Sequence, residues 1–232
     1  KAGAVSCGLK KTQDLDLMVL SSSEDCTAAG LFTKNQVVAA SVVCNRETLA
    51  LNNTRIRAVV ANAGIANACT GEQGLRNARE MQYITGNALG CTHDQVLTLS
   101  TGVIGAQLPM KNLSTGISAA ARNLGHHGGV EAARAIMTTD TIPKHLAVKV
   151  ELPHGFVTIG GIAKGSGMIH PDMATMLAVI TTDAAVTPGV LHSQLVAAVE
   201  LSFNRVSVDG DTSTSDTALL LANGASGLQV ED

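Results

Sequence analysis

A glycine-rich turn that empties into a short apolar run constrains this chain more than any other stretch. Lys164-Gly165-Ser166-Gly167-Met168-Ile169-His170-Pro171 leads into Asp172-Met173-Ala174-Thr175, and the apolar run from Thr175 to Ile180 closes at Thr181-Thr182-Asp183. A run this short, with turn-forming residues on both sides, predicts a buried strand. Its first residue is a threonine behind a flexible loop. If the Ala174–Thr175 peptide bond is cut, Thr175 gains a free α-amino group beside its own hydroxyl. Such an amine has an ordinary pKa of about 7.7–8. Near neutral pH it can act as a base and activate the neighbouring hydroxyl as a nucleophile.

The rest of the chain alternates short apolar runs with helical segments. Strands are predicted over 15–21, 28–33, 37–44, 56–61, 96–99 and 218–222. Residues 146–152 and 156–162 form two more, joined as a hairpin by Pro153-His154-Gly155. Helices are predicted over 72–88, with Gly90 as its C-cap, over 110–124, 130–137 and 190–203. Strands and helices mix without strict βαβ alternation. The expected fold class is therefore α+β, a layered sandwich of sheets and helices, rather than a doubly wound sheet. No internal repeat or linker divides the 232 residues, so one main catalytic domain is expected over 1–232.

Apolar residues make up 45% of the chain and charged residues 15%, a compact globular composition. Aromatic residues are only 2%, with no Trp, and the net charge is −3. A nucleic-acid reader built on stacked aromatics or a basic face is excluded, and so is a basic membrane-binding surface. No run of 18 apolar residues occurs. Cys7, Cys26, Cys44, Cys69 and Cys91 are odd in number, widely spaced and without a C-x-x-C pair. They read as small core residues in a reducing compartment, which predicts a cytoplasmic location. Cys91-Thr92-His93 is half a metal site with no second half, so no metal and no cofactor are expected.

Several clusters carry polar chemistry. Lys164 between small residues resembles a phosphate loop, but Gly-Lys-Ser/Thr is missing and no helix follows. Taken alone it reads as a surface lysine on a mobile turn; its alternative is a partner for a substrate carboxylate. Thr101-Gly102 lies where a strand breaks, and a hydroxyl with a glycine amide there suits an oxyanion hole. The plainer reading is a turn. Thr138-Thr139-Asp140-Thr141 and the stretch from Asp209 to Asp216 read by default as solvated turns, since Asp209-Gly210-Asp211 lacks the glycine and final glutamate of a calcium loop. His126-His127 between glycines reads as an exposed loop. His170 either tunes cleavage or ends a turn.

Jointly these motifs resemble the glutamate N-acetyltransferase family, also called ornithine acetyltransferase, of arginine biosynthesis. The resemblance covers essentially the whole chain. It is carried by residues 62–71 with Gln73-Gly74, by 100–105, by 137–141, by 164–169 with 173–177, and by 209–214. It implies a sheet-and-helix sandwich similar to but distinct from the N-terminal-nucleophile hydrolases. It implies self-cleavage between Ala174 and Thr175 into fragments 1–174 and 175–232, Thr175 as nucleophile, Thr101 and Gly102 as the oxyanion hole, and Thr138, Lys164 and Thr175 as substrate contacts. The implied substrates are N2-acetylornithine and glutamate, with acetyl-CoA as a further donor in some relatives, and the implied assembly is an α2β2 heterotetramer. The alternatives are a self-processed N-terminal-threonine amidohydrolase or aminopeptidase and an inactive, truncated binder. Asp172 and Ser215 depart from the asparagine found in many relatives. The family's further acidic motif and its C-terminal Asn with Ser or Thr are not among these residues, which implies that the sequence is part of a longer protein.

Overall fold

The computed structural model describes residues 1–170 and 176–230. One long strand organises them. Strand β2 (Leu17–Phe32) pairs antiparallel with a short β1 (Ala2–Val5) through Leu17 to Leu20, and serves two further neighbours in turn. Its first half, Leu17 to Ser21, pairs antiparallel with β3 (Ile56–Ile65), which pairs parallel with β4 (Val96–Val103). Its second half, Thr27 to Phe32, pairs antiparallel with β9 (Thr217–Ala222). From β9 the sheet continues through β7 (Leu177–Thr182), β6 (Gly155–Lys164) and β5 (Lys144–Leu152), giving the order β4-β3-β2-β9-β7-β6-β5. The two strands predicted over 15–21 and 28–33 are therefore one. The polar stretch between them is an exposed irregularity within β2, where the register shifts between Ser21 and Cys26. A bulge leaves extra residues unpaired and bends the strand without ending it.

Alternation along the strands sorts the core. Met18, Val59, Ala61, Leu97 and Leu99 share one face with Leu177, Val179, Leu219 and Leu221, and α4 (Gly129–Ala135) packs there through Ala132, Ala133 and Ala135. The intervening Leu17, Val19, Ala58 and Val60 face α2 (Gly71–Leu89) and α3 (Met110–Arg122), through Met81, Leu113 and Ile117. Ala29, Ala178, Ala218 and Ala222 receive α5 (Pro188–Leu201) at Leu191, Leu195 and Val199. Helices on both faces of a mixed sheet make the layered α+β sandwich. A two-residue strand β8 (Ala185–Val186) pairs parallel with β10 (Gln229–Val230) apart from the main sheet.

One predicted strand is overturned. Residues 37–44 do not extend; α1 (Ala40–Leu51) begins there instead. The buried residues Ala40, Ser41, Cys44, Asn45 and Thr48 recur at helical spacing. Asn45 supplies a reason: its amide donates to the Thr98 carbonyl at 2.8 Å and accepts from the Thr98 amide at 2.8 Å. A buried side chain thus closes the open edge of β4 at Thr98, and the helix at 40–51 presents it there. Tertiary demand has overridden the β preference of Val42 and Val43.

All five cysteines are free thiols; Cys26 and Cys44 are buried, but Cys69 is exposed and is not a core residue as expected. Among the described residues no helix is long and apolar enough to cross a membrane.

Candidate active site

The sheet brings most of the flagged motifs to one place. The C-terminal ends of the parallel strands β3 and β4 carry Gly64–Ala66 and Thr101–Ile104 to the wall of a cavity of about 1320 Å3. The loop between β1 and β2, the segment after α4, the end of β6 and the stretch before β9 complete the lining, with Lys10, Thr138, Asp140, Lys164 and Ser213 among its residues.

Buried polar groups hold the strand ends. Ser100 Oγ donates to Asn62 Oδ1 at 2.7 Å, and Asn62 Nδ2 donates to the Ile65 carbonyl at 2.8 Å. Beyond the strands, the Ala66 amide reaches Val103 and the Gly105 amide reaches Ala68, both at 2.9 Å. Motifs 62–71 and 100–105 therefore form one laced unit. Gly74 belongs to it as well. A Cβ there would lie 1.9 Å from Thr70 Oγ1 and 2.7 Å from Asn67 Oδ1. The Asp16 carboxylate, fully buried, accepts the amides of Cys7 and Leu9 at 2.7 Å and of Lys10 at 3.3 Å, and so shapes the loop over Gly64.

Thr101 is 5% exposed. Gly102 follows with φ +131, and a Cβ built on it would fall 2.2 Å from the Gly64 carbonyl carbon. Backbone meets backbone there, so only glycine fits. Gly102→Ala is expected to lower stability by about 2–4 kcal/mol through clash and strained φ. Urea unfolding checks this; an unchanged midpoint would mean that the two strand ends can separate freely.

Lys164 is not the mobile surface lysine that its glycine neighbours suggest. It is the last residue of β6, pairs with Leu177 across the sheet, and is 4% exposed. Its Nζ donates to Thr101 Oγ1 at 3.1 Å. Burial lowers its pKa, while Asp140 and Asp216 act in the opposite direction. Thr138 lies exposed on the cavity wall and donates its amide to Asp140 Oδ2 at 3.4 Å.

Asp140 was expected to be a solvated turn residue, and it is not. Its carboxylate accepts the Gly165 amide at 2.8 Å and pairs with Lys144, so it ties the Thr138 segment to the end of β6. Burial pushes that carboxyl up, but Lys144 and the amides of Gly165 and Thr138 outweigh it and hold it below the ordinary range. Thr139 Oγ1 adds a 2.6 Å bond to Ser166 Oγ across the same junction.

The 209–216 stretch divides. Asp209 is exposed and accepts the amides of Met168 and Ile169 at 2.6 and 2.9 Å, capping the glycine-rich turn. Ser213 to Asp216 are buried rather than solvated. The segment is pinned by Thr33, whose hydroxyl donates to the Ser213 carbonyl at 2.7 Å and whose amide donates to the Asp216 carbonyl at 2.9 Å. The Asp216 side chain accepts the Met176 amide on Oδ1 at 3.0 Å, while Oδ2 has no hydrogen-bond partner of normal geometry among the described residues. Burial pushes this carboxyl up to about 8, against the pull of the Met176 and Ser213 amides and of Lys164.

An ordinary carboxyl titrates near 3.9. Between about pH 4 and 8 the folded protein therefore holds a proton that the unfolded chain releases, and stability falls as pH rises through that window. Asp216→Asn is expected to flatten the dependence of the urea midpoint on pH over that range. An identical slope in the variant would show that Asp216 does not titrate as its burial demands.

Ala174 and Thr175, with Pro171, Asp172 and Met173, lie outside the described residues. His126, His127 and His170 are exposed. The ring of His93 stacks on Tyr83 at 4.1 Å, and Thr92 is engaged in a capping box with Gln95. Among the described residues no three potential metal ligands cluster. Thr101, Gly102, Thr138 and Lys164, singled out through the family resemblance, all line the cavity, whereas Asp140 and Asp216, read as solvated turn residues, are tied into its walls. Nothing in the local pattern marks a carboxylate that binds amides rather than water.

The chain is similar to proteins already known. The arginine biosynthesis bifunctional protein ArgJ of Symbiobacterium thermophilum is 53% identical over 91% of this chain. That match takes in 52% of the relative, so the chain spans about half the length of the curated relatives it matches. The crystal structure of the ornithine acetyltransferase of Mycobacterium tuberculosis complexed with ornithine is 35% identical, with TM-score 0.67, and the match covers 76% of this chain and 91% of that one. The L-aminopeptidase D-Ala-esterase/amidase of Ochrobactrum anthropi, described as a variant of the Ntn hydrolase fold, has TM-score 0.57 at 11% identity over 96% of this chain and 71% of its own. That likeness is one of fold alone. The family model described as "ArgJ family" matches residues 1–232, and the chain belongs to the ArgJ family.

Proposed function

We propose that this chain carries the nucleophile half of an acetyltransferase of arginine biosynthesis, moving the acetyl group of N2-acetylornithine to glutamate by way of an acetyl-threonine ester. The observation that carries this reading is the convergence of Thr101, Thr138 and Lys164 on one cavity from three separate elements. The relatives' names, a bifunctional arginine biosynthesis protein and an ornithine acetyltransferase, support it.

The nucleophile is made first. Thr175 Oγ attacks the Ala174 carbonyl; the peptide C–N bond breaks, the nitrogen takes the hydroxyl proton, and an ester joins the two fragments. Water opens that ester, leaving a carboxylate on Ala174 and a free amine and hydroxyl on Thr175. In transfer, the amine accepts the Thr175 hydroxyl proton as the oxygen attacks the acetyl carbonyl. Thr101 and Gly102 donate to the oxyanion. The amide bond breaks, ornithine leaves with the proton returned by the amine, and the acetyl group stays on Thr175 Oγ. The glutamate amine then attacks the ester, giving N-acetylglutamate and the free hydroxyl. Lys164 and Thr138 hold the substrate carboxylate, a charge-assisted contact. Acetyl-CoA as a second donor, an α2β2 assembly of the two fragments, and a cytoplasmic location belong to the same proposal.

The purified protein, incubated with N2-acetylornithine, tests it. N-acetylglutamate formed only when glutamate is present supports transfer. Equally fast acetate release without glutamate would make the enzyme a hydrolase.

A further inference from the structure

Lys164 and Thr101 meet inside the protein, and chemistry forces the direction of the hydrogen bond between them. Their Nζ and Oγ1 atoms lie 3.1 Å apart, and both residues are buried. An ammonium has three donors and no acceptor, whereas a hydroxyl has one donor and two lone pairs. The Thr101 oxygen must therefore accept, and its own proton must point elsewhere. Thr101 lines the cavity, so a proton turned away from Lys164 has the cavity available to it.

We propose that Lys164 is a positioning residue for Thr101, fixing the Thr101 O–H so that its proton faces the oxyanion formed in the cavity. This rests on the reading of Thr101 as an oxyanion donor given above, and adds to it a second role for Lys164 besides holding the substrate carboxylate. The two roles do not compete, because the ammonium has two further donors after Thr101 is served. They also separate kinetically. A donor aimed at the oxyanion acts only in the transition state and falls on kcat, while a carboxylate contact made equally by ground and transition state falls on KM.

The device works only while Lys164 is charged. A neutral amine has a lone pair, accepts the Thr101 proton and turns that donor away from the cavity. Burial works toward that neutral form. Of the groups facing Lys164, Asp140 and Asp216 favour the cation, whereas Lys144 and Lys10 oppose it. Asp140, held ionised by Lys144 and two amides, is the counter-charge at neutral pH; Asp216, pushed up to about 8, joins it only in alkali. This gives Asp140 a reason to sit buried between the two substrate-binding segments.

A double-mutant cycle on the purified protein tests the proposal, with kcat and KM measured for N2-acetylornithine and glutamate. Lys164→Met and Thr101→Ala are each expected to lower kcat by about 10²-fold or more. The double variant is expected to lie within about 3-fold of Thr101→Ala in kcat, because Lys164 has nothing left to orient. Losses in kcat that multiply would overturn the positioning role and leave the oxyanion reading standing. Full kcat in Thr101→Ala would overturn both. Should Lys164→Met fail to fold, the pH profile of kcat decides. The native enzyme is expected to lose rate in alkali as Lys164 deprotonates, and Thr101→Ala to lack that limb; the same limb in both would contradict the proposal.

Discussion

Thr175→Ala is expected to yield an uncut chain with no detectable acetyl transfer. Two separate chemistries fail at once, since the missing hydroxyl is the attacking group in both. In cleavage no ester can form at Ala174, so the peptide bond persists and no α-amine appears. In transfer there is neither an oxygen to carry the acetyl group nor a free amine to act as its base. Thr175→Ser tests the same logic from the other side, because it keeps the hydroxyl and the amine and loses only the methyl group that restricts the side-chain rotamer. Some cleavage and some transfer should survive in it. Electrophoresis under denaturing conditions and a coupled assay of N-acetylglutamate read the two outcomes independently. Cleavage lost with transfer retained, in either variant, would separate two activities that the account assigns to one atom.

Thr101→Ala is expected to lower kcat by about 10²–10³-fold with little change in KM, the loss typical of one oxyanion-hole donor. The size follows from the surroundings. Thr101 is 5% exposed, so water cannot readily replace the missing hydroxyl, and a donor in such a site is worth more than one in solvent. Stability should change less, because Lys164 loses a hydrogen-bond acceptor but keeps the field of Asp140. Cleavage at Ala174–Thr175 also passes through an oxyanion. Slower maturation of Thr101→Ala, followed by mass spectrometry after synthesis, would show that one hole serves both reactions. A rate within 3-fold of native would remove Thr101 from the mechanism.

What the sequence made legible was local. Gly90, at φ +72, ends α2 as the C-cap expected of it, and the hairpin of β5 and β6 turns at Pro153-His154 as its alternation and turn residues require. Segments with one strong periodicity and clear punctuation carry their own instructions. Residues 37–44 failed because Asn45 answers to the edge of β4, far away in sequence, and no local propensity encodes that bond. The family resemblance singled out Thr101, Gly102, Thr138 and Lys164, and the structure gathers these four residues around one cavity. Its organisation was not, since Asp140, Asp209 and Asp216 look like any acidic loop residue until their amide partners are known. Lys164 was misjudged alone for the same reason. Glycines on its C-terminal side suggested freedom, whereas the preceding strand buries the side chain against Thr101.

Acetyl transfer by Thr175 requires the exposure of a new amino terminus. N-terminal sequencing of the purified native protein, run beside the acetyl-transfer assay, should show a fragment that begins Thr175-Met176-Leu177 in any preparation that transfers acetyl groups. A single uncut chain with full transfer activity would contradict it.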